Sequence, residues 1–144
     1  MIIYFDTSVL VKNYVNKEHT EAVVAYWGQT ETIVISEIAY AEFFSAVNRR
    51  RREGSLSEED YQAITERFKN DWEAFEKIPV NPRLNQQIED LLTQYPLRGF
   101  DAIHLASALS FRQHLADEPL LFICADRRLC ETAQAENLDV VNLS

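Results

Sequence analysis

The stretch Met1-Ile2-Ile3-Tyr4-Phe5-Asp6-Thr7-Ser8-Val9-Leu10 decides the expected fold. Five apolar residues run without alternation into an aspartate, and two hydroxyl residues and a second apolar segment follow. A short unalternating apolar run is typical of a strand that is buried on both faces, as in the middle of a parallel sheet. In open sheets of that kind, ligands bind just beyond the carboxyl ends of the strands. Asp6 therefore lies at a candidate ligand site.

The rest of the chain alternates short apolar segments with longer amphipathic ones. Helices interleaved with short buried strands predict an α/β fold, a three-layer sandwich with a mostly parallel central sheet flanked by helices. The predicted strands are 1–5, 32–35, 78–80, 120–124 and 138–143, and the predicted helices are 7–14, 19–27, 36–52, 57–77, 81–95, 102–115 and 127–136.

Length and composition narrow the class of protein. The 144 residues are expected to form a single domain, residues 1–144, that is large enough to bury a hydrophobic core. The net charge of −9 argues against a non-specific nucleic-acid binder. The opening apolar run is too short for a membrane span and lacks the features of a signal peptide, so a cytoplasmic protein is expected. Cys124 and Cys130 lack the spacing of a zinc site or a disulfide framework, and both are expected to be reduced thiols.

Four acidic residues are candidates for a functional site. Asp6, Asp101 and Asp126 lie where predicted strands end or predicted helices begin, and each has an ordinary alternative role as a helix cap. Glu42 differs because it lies within a predicted helix among apolar neighbours, where no cap is needed. Its alternative is a solvent-facing position on an amphipathic helix. None of the four identifies a site by itself.

The combination of the four acids is more informative. On a parallel sheet they can meet at one carboxyl-end crevice, and clustered carboxylates either raise their pKa values or bind cations. Hard oxygen ligands suit Mg²⁺ or Mn²⁺ rather than zinc. Ions held in this way can activate a water molecule and stabilise the leaving oxygen of a phosphodiester. The pattern is therefore suited to metal-dependent chemistry at a phosphodiester.

Four motifs in this order resemble those of PIN-domain ribonucleases, most closely the VapC-type toxins of prokaryotic toxin–antitoxin pairs, over nearly the whole chain. The first is the apolar strand that leads into Asp6-Thr7-Ser8. The others are Ser36-Glu37-Ile38-Ala39-Tyr40-Ala41-Glu42-Phe43, Arg98-Gly99-Phe100-Asp101-Ala102-Ile103-His104-Leu105-Ala106 and Ala125-Asp126-Arg127-Arg128-Leu129.

The resemblance implies an endoribonuclease whose acidic pocket consists of Asp6, Glu42, Asp101 and Asp126. In that interpretation Asp6 and Asp101 bind Mg²⁺ or Mn²⁺, and Glu42 and Asp126 complete the pocket. The resemblance also implies a homodimer and a cognate antitoxin whose C-terminal segment blocks the pocket, often with an arginine. The chain departs from the family at Cys124, where Thr or Ser is common two residues before the last acid. Because a thiol is a poorer hydrogen-bond donor than a hydroxyl, reduced activity or a shifted metal preference is expected.

Other polar residues are candidates for supporting roles. Ser8 can orient a carboxylate or support the cap of the first helix. Arg49 lies two helical turns after Glu42 and is the best candidate for a phosphate contact, with Arg127 as a second. The alternative for Arg49 is a favourable position at a helix C-terminus, and for Arg127 an ordinary surface position. His104 is expected to be a structural histidine or to orient a hydrogen bond.

Three alternative functions remain open at this stage. A phosphoryl-transfer enzyme of the haloacid-dehalogenase type also has an aspartate after its first strand, but it needs a second acid two residues later, where this chain has Ser8. A catalytically weakened PIN-like module that only binds a protein partner is the second alternative. A PIN nuclease without an antitoxin is the third.

Overall fold

The computed structural model describes residues 1–15 and 18–144 of the chain. A five-stranded sheet lies at its centre, with the strand order β3-β2-β1-β4-β5 and parallel pairing at each of the four junctions. The strands are Ile2–Phe5 (β1), Thr32–Ser36 (β2), Glu76–Ile78 (β3), Leu120–Cys124 (β4) and Asp139–Asn142 (β5). The predicted α/β fold with a mostly parallel sheet is confirmed.

Helices connect the strands and cover both faces of the sheet. Their bounds are Thr7–Val11 (α1), Thr20–Gln29 (α2), Ala39–Arg52 (α3), Glu58–Trp72 (α4), Asn85–Gln94 (α5), Gly99–Arg112 (α6) and Arg127–Ala135 (α7), with a 3₁₀ turn at Pro82–Leu84. Among these described helices, none is both long enough and apolar enough to cross a membrane.

Strand β1 shows how the three layers are held together. Because side chains alternate along a strand, Ile3 and Phe5 point to one face and Ile2 and Tyr4 to the other. The first face packs against an aromatic core from α1 to α4, and the second against α5 to α7. All four residues of β1 are buried, as an unalternating apolar run predicts. The three-layer arrangement is therefore a direct consequence of that run.

The central position of β1 also places the candidate site. β1 pairs with β2 on one side and with β4 on the other, so Asp6 lies between the carboxyl ends of its two neighbours. The backbone N–H of Asp6 donates to the carbonyl of Ile123 in β4 at 3.0 Å. The chain turns directly from this bond into α1.

Two predicted boundaries around the third strand are wrong. The helix predicted to reach about residue 77 ends at Trp72, and the strand predicted at 78–80 lies at Glu76–Ile78. Pro79 explains the shift, because a proline restricts the preceding residue and cannot donate to the sheet, so the strand ends before it. The ammonium group of Lys77 donates to the carbonyls of Trp72 and Phe75 and holds the turn between the two elements.

The start of α6 also differs from the prediction. Asp101 was expected to open this helix, but the helix begins at Gly99, and the extended residue before it is Arg98. Asp101 therefore lies in the first turn of the helix, where the N-terminal end of the helix dipole favours a carboxylate. This shift brings Asp101 and His104 onto one helical face, one turn apart.

Phe68 is expected to be essential for the stability of the aromatic core. Its ring is fully buried in α4 and stacks on Phe43 of α3, with ring centroids 3.7 Å apart. Phe68→Ala should lower the free energy of unfolding by about 3–5 kcal/mol through lost burial and a cavity. Urea unfolding followed by circular dichroism measures this change. Phe100→Ala is the matched control, because Phe100 is 64% exposed, and it should shift stability by no more than about 0.5 kcal/mol.

Candidate active site

Asp6 forms the centre of the candidate site. It is the N-cap residue of α1 by position, with an extended backbone, but its carboxylate makes no capping hydrogen bond to that helix. Instead, the hydroxyl of Ser8 donates to Asp6 Oδ2 at 2.7 Å. The residue is only 6% exposed. The carboxylate is therefore buried without the capping role that was the ordinary alternative for it.

Glu42 reaches the same place from α3. Its Oε1 accepts a hydrogen bond from the hydroxyl of Thr7 at 2.7 Å and lies 2.7 Å from His104 Nε2. Its side chain is 30% exposed. Thr7 and His104 thus hold the carboxylate at the carboxyl edge of the sheet, and the alternative of a purely solvent-facing residue does not apply.

His104 joins Glu42 to Asp6 from the other face of the sheet. The imidazole is buried in α6, with Nδ1 2.8 Å from the hydroxyl of Tyr4 and Nε2 3.7 Å from Asp6 Oδ1. Burial opposes the charged imidazole, but the hydrogen bond to Glu42 and the charges of Asp6 and Glu42 outweigh it and raise the pKa of His104. When protonated, the ring donates to Tyr4 and Glu42 at once. These contacts agree with the prediction that His104 orients a hydrogen bond.

The two carboxylates respond to this cation in different ways. Burial raises the pKa of Asp6, and the charges of Asp101 and Glu42 raise it further, against the opposing effects of His104 and Ser8. Burial also acts to raise the pKa of Glu42, but the hydrogen bonds from His104 and Thr7 lower it overall. The negative charges of Asp101 and Glu42 thus act on the buried carboxylate of Asp6. A cation placed among them relieves that repulsion.

Asp101 and Asp126 form the second half of the site, and Arg98 connects them. Arg98 Nε donates to Asp101 Oδ2 at 3.0 Å, and Arg98 Nη2 lies 3.6 Å from Asp126 Oδ2. Asp126 also caps α7, because its Oδ1 accepts from the backbone N–H of Leu129 at 3.0 Å. For Asp126 the capping alternative is correct, but it occupies only one carboxylate oxygen.

The donor set of the site fits a hard divalent cation in its chemistry. Four carboxylates from separate elements supply the oxygen ligands that Mg²⁺ and Mn²⁺ prefer. Within residues 1–15 and 18–144, however, no three Asp, Glu, His or Cys side chains are arranged as they stand to hold one ion. Basic side chains of the protein contact these oxygens instead, the imidazole of His104 at Glu42 and the guanidinium of Arg98 at Asp101 and Asp126.

The prediction that both cysteines are free thiols is wrong. Cys124 at the end of β4 and Cys130 in α7 form a disulfide, with Cα atoms 6.0 Å apart, and both are buried. A separation of six residues matches no short cysteine motif, but the first turn of α7 folds Cys130 back over the strand end. Cys124 therefore has no thiol hydrogen to donate, and the disulfide encloses the segment that contains Asp126.

The structure brings some of the other predicted residues to the site but not all. Ser8 contacts Asp6, as described above. Arg127 lines a crevice of about 310 Å³ together with Asp101 and Asp126, although its Nε donates to Glu131 at 2.9 Å. Arg49 is exposed on α3, two turns beyond Glu42, and makes none of the contacts of the site.

Sequence reasoning missed three residues of the site. Arg98 was assigned no role, although a basic residue three positions before Asp101 is close enough along a helix start to pair with it. Thr7 was read only as part of a helix start. Tyr4 was interpreted only as part of a buried strand. Its hydroxyl is the one polar group among the side chains of β1. A polar atom in a fully buried strand was the available signal, because such an atom needs a partner.

Comparison with known proteins identifies relatives of the whole chain. The family model described as the PIN domain matches residues 3–135. Ribonuclease VapC45 of Mycobacterium tuberculosis (strain CDC 1551 / Oshkosh) is 29% identical over 134 residues, which cover 93% of this chain and 90% of that protein. Residues 3–135, which the family model matches, include all four acids of the candidate site.

Solved structures with the same fold come from several bacteria. A toxin–antitoxin complex from Klebsiella pneumoniae aligns with a TM-score of 0.67 and 20% identity, covering 99% of this chain and 98% of the other. VapBC2 from Rickettsia felis, bound to a DNA fragment from its promoter, aligns with a TM-score of 0.66 and 17% identity over the full length of both chains. At these identities the likeness establishes the fold.

The disulfide is expected to stabilise the end of β4. Closing a loop of this length restricts the unfolded chain by about 2 kcal/mol, so Cys130→Ala should lower the free energy of unfolding by about that amount. Urea unfolding with and without a reductant measures the effect. Reduction should bring the wild type close to the variant and change the variant little. Two free thiols in the denatured, unreduced wild type would contradict the bond.

His104 is expected to make the stability of the metal-free protein depend on pH. Because its pKa is raised on folding, the folded state binds its proton more tightly than the unfolded state does. That stabilisation is complete below the ordinary histidine pKa of about 6.5 and is lost as the pH rises through the folded value. His104→Gln should abolish this loss of stability with rising pH. Urea unfolding at several pH values, with a chelator present, measures the free energy of unfolding. The control His114→Gln, at an exposed position of the same chain, should retain the loss of stability, and an unchanged profile in His104→Gln would contradict the assignment.

Proposed function

The chain belongs to the PIN-domain family, and we propose that it is a Mg²⁺- or Mn²⁺-dependent endoribonuclease, the toxin of a toxin–antitoxin pair. The observation that carries this proposal is the gathering of four carboxylates at the carboxyl edge of the sheet. Asp6 and Glu42 share His104, and Asp101 and Asp126 share Arg98. The name of the VapC45 ribonuclease, a relative over 93% of this chain, supports the same activity.

In the proposed mechanism Asp6 and Asp101 would hold the ion, and Glu42 and Asp126 would complete the acidic pocket. A Mg²⁺ or Mn²⁺ ion bound there would supply Lewis-acid chemistry. The protein's part is positioning. Ser8 fixes the carboxylate of Asp6 by its hydrogen bond, and Thr7 and His104 fix that of Glu42.

His104 has a second role in this proposal, which is to keep its neighbours ionised. Its hydrogen bond lowers the pKa of Glu42, and its charge acts against the burial that raises the pKa of Asp6. Both carboxylates must be ionised in order to bind a cation. A buried imidazole with a raised pKa thus favours the ionised form of its neighbouring carboxylates without touching the substrate.

The RNA strand is proposed to enter by the crevice beside Asp101 and Asp126. Arg127 and Arg128 line this crevice and provide positive charge for phosphates in a chain whose net charge is −9. Local rather than overall charge then determines where the strand binds. Arg49 remains a candidate for a more distant phosphate contact, two turns along α3.

We propose two protein partners for this chain, an antitoxin and a second copy of the chain itself. The solved neighbours from Klebsiella pneumoniae and Rickettsia felis are toxin–antitoxin assemblies, so we expect a cognate antitoxin for this chain and a homodimeric toxin. An antitoxin segment that carries an arginine is chemically suited to the four carboxylates. The cytoplasm, where such an RNA substrate is found, is the expected place of action.

Cleavage of a structured RNA in Mn²⁺ tests the proposed activity. Asp6→Asn and Asp101→Asn should each reduce the rate at least about 100-fold, because each removes a charged ligand of the ion. Asp139→Asn, which removes an exposed carboxylate from β5, is the charge-matched control and should retain the wild-type rate. A chelator should abolish cleavage, and added Mn²⁺ should restore it.

Two results would overturn the nuclease assignment. One is cleavage that persists in the chelator, and the other is cleavage that persists in the double variant of Asp6 and Asp101. Circular dichroism spectra and urea unfolding of each variant show whether a lost rate reflects the site or a lost fold.

A further inference from the structure

The side chain of Arg98 contacts both Asp101 and Asp126 of the candidate site. Its guanidinium pairs with Asp101 Oδ2 at 3.0 Å and with Asp126 Oδ2 at 3.6 Å. The other oxygen of Asp126 is already bound to the backbone N–H of Leu129. The oxygen of Asp126 that remains for a metal ion is therefore the one that faces Arg98.

The exposure of the three side chains shows from which side Arg98 approaches. The side chain of Arg98 is 77% exposed, whereas those of Asp101 and Asp126 are 12% and 38% exposed. The guanidinium thus covers the carboxylates from the solvent side of the crevice. Arg98 has an extended backbone and directly precedes α6, and its side chain makes no capping hydrogen bond to that helix. Displacement of this side chain would therefore break no cap of helix α6.

The strength of the two contacts is also consistent with displacement. The guanidinium of Arg98 is largely exposed, so water and salt screen its ion pairs even though the Asp101 carboxylate is buried. A divalent cation brings twice the charge of a guanidinium and binds carboxylate oxygens directly. The site contains four carboxylates against two protein cations, so replacing Arg98 by a divalent ion brings it closer to neutrality. His104 is different, because it is buried and bound on both ring nitrogens.

We propose that Arg98 is a removable counter-cation, which holds Asp101 and Asp126 in the metal-free protein, is displaced by the metal ion, and then contacts a phosphate of the bound RNA. This inference rests on the proposed nuclease function and adds a specific residue to it. The displaced side chain stays in the crevice of about 310 Å³ that Arg127 and Arg128 also line. There, three guanidinium groups surround the path of a phosphate backbone. A guanidinium suits both partners, since its planar fork matches carboxylate and phosphate alike.

Substitution of Arg98 is expected to change metal and RNA binding in opposite directions. Arg98→Gln should tighten Mn²⁺ binding about three- to tenfold, because the ion no longer competes with a guanidinium. The same variant, with Mn²⁺ saturating, should raise the KM for a structured RNA by a similar factor of about three to ten and change kcat less. Titration calorimetry with Mn²⁺ alone measures the first effect and needs no activity. The gain in Mn²⁺ affinity should shrink at high salt, where the ion pair in the wild type is already screened.

Arg127→Gln is the matched control for the Mn²⁺ titration. Arg127 lines the same crevice and has an 81% exposed side chain, but its Nε pairs with Glu131. The substitution removes the same charge from nearly the same place without removing a bridge between the acids, so Mn²⁺ affinity should stay within about twofold. Arg98→Lys, which keeps the charge but loses the fork, should give an intermediate Mn²⁺ affinity.

The possible results separate this inference from the function on which it rests. Unchanged or weaker Mn²⁺ binding in Arg98→Gln would overturn the counter-cation role, and so would an equal increase in Mn²⁺ affinity in Arg127→Gln. If the wild type still cleaved RNA in a metal-dependent way, the nuclease assignment would stand. Tighter Mn²⁺ binding with an unchanged KM would overturn the transfer of Arg98 to the RNA. A wild type that neither binds Mn²⁺ nor cleaves RNA would overturn both proposals.

Discussion

The burial of Asp6 beside the charges of Glu42 and Asp101, at one edge of a parallel sheet, is the constraint on which the rest of the site depends. Carboxylates brought this close raise one another's pKa or require cations, and burial raises the pKa of Asp6 in addition. The chain provides two cations of its own for this purpose, His104 and Arg98. The polar contacts made by Ser8 and Thr7 act in the same direction, since a hydrogen bond to a carboxylate favours its ionised form. The hydrophobic core and the acidic site are thus arranged around the same residue, Asp6.

Parallel topology explains why residues far apart in the sequence meet here. With β1 in the centre of the sheet, the turn after it lies beside the turn after β4 and the start of α3. α6 packs across the opposite face, and its first turn presents Asp101 and His104 on one side. Each acid therefore comes from a different connection at the same edge. A single strand or helix cannot place four carboxylates in this way, because its own side chains diverge.

Much of the fold was predictable because its strands are local signals. The unalternating runs at Ile2–Phe5 and Leu120–Cys124 were recognised as strands from their apolar pattern, and both are confirmed, the first at the centre of the sheet. Boundaries set by interactions at a distance were less predictable. The ammonium group of Lys77 donates to carbonyls of the preceding turn, which no pattern in the sequence indicates. Helix α6 begins three residues earlier than expected. Secondary structure that depends on neighbouring hydrogen bonds is seen only once the chain is folded.

The site was predictable for its acids but not for the groups that balance them. An aspartate after a buried strand is a pattern in the sequence, whereas the pairing of Arg98 with Asp126 joins residues that no periodicity connects. The disulfide between Cys124 and Cys130 was missed for the same reason, because it depends on how α7 folds back over β4. Carboxylates are placed by topology, and topology can be read from the order of strands and helices. Their counter-cations are placed by side-chain reach, which requires coordinates.

The two counter-cations differ in a way that bears on how such a site stays both folded and able to bind an ion. His104 is buried, bonded through both ring nitrogens, and unites the two sides of the sheet through Tyr4 and Glu42. To remove it would leave charges and a hydroxyl unpaired in the interior, which is costly. Arg98 pairs with Asp101 and Asp126 from the solvent side of the crevice. An ion pair with an exposed partner contributes little to stability. His104 is therefore part of the fold, whereas Arg98 is the group that we propose a metal ion replaces.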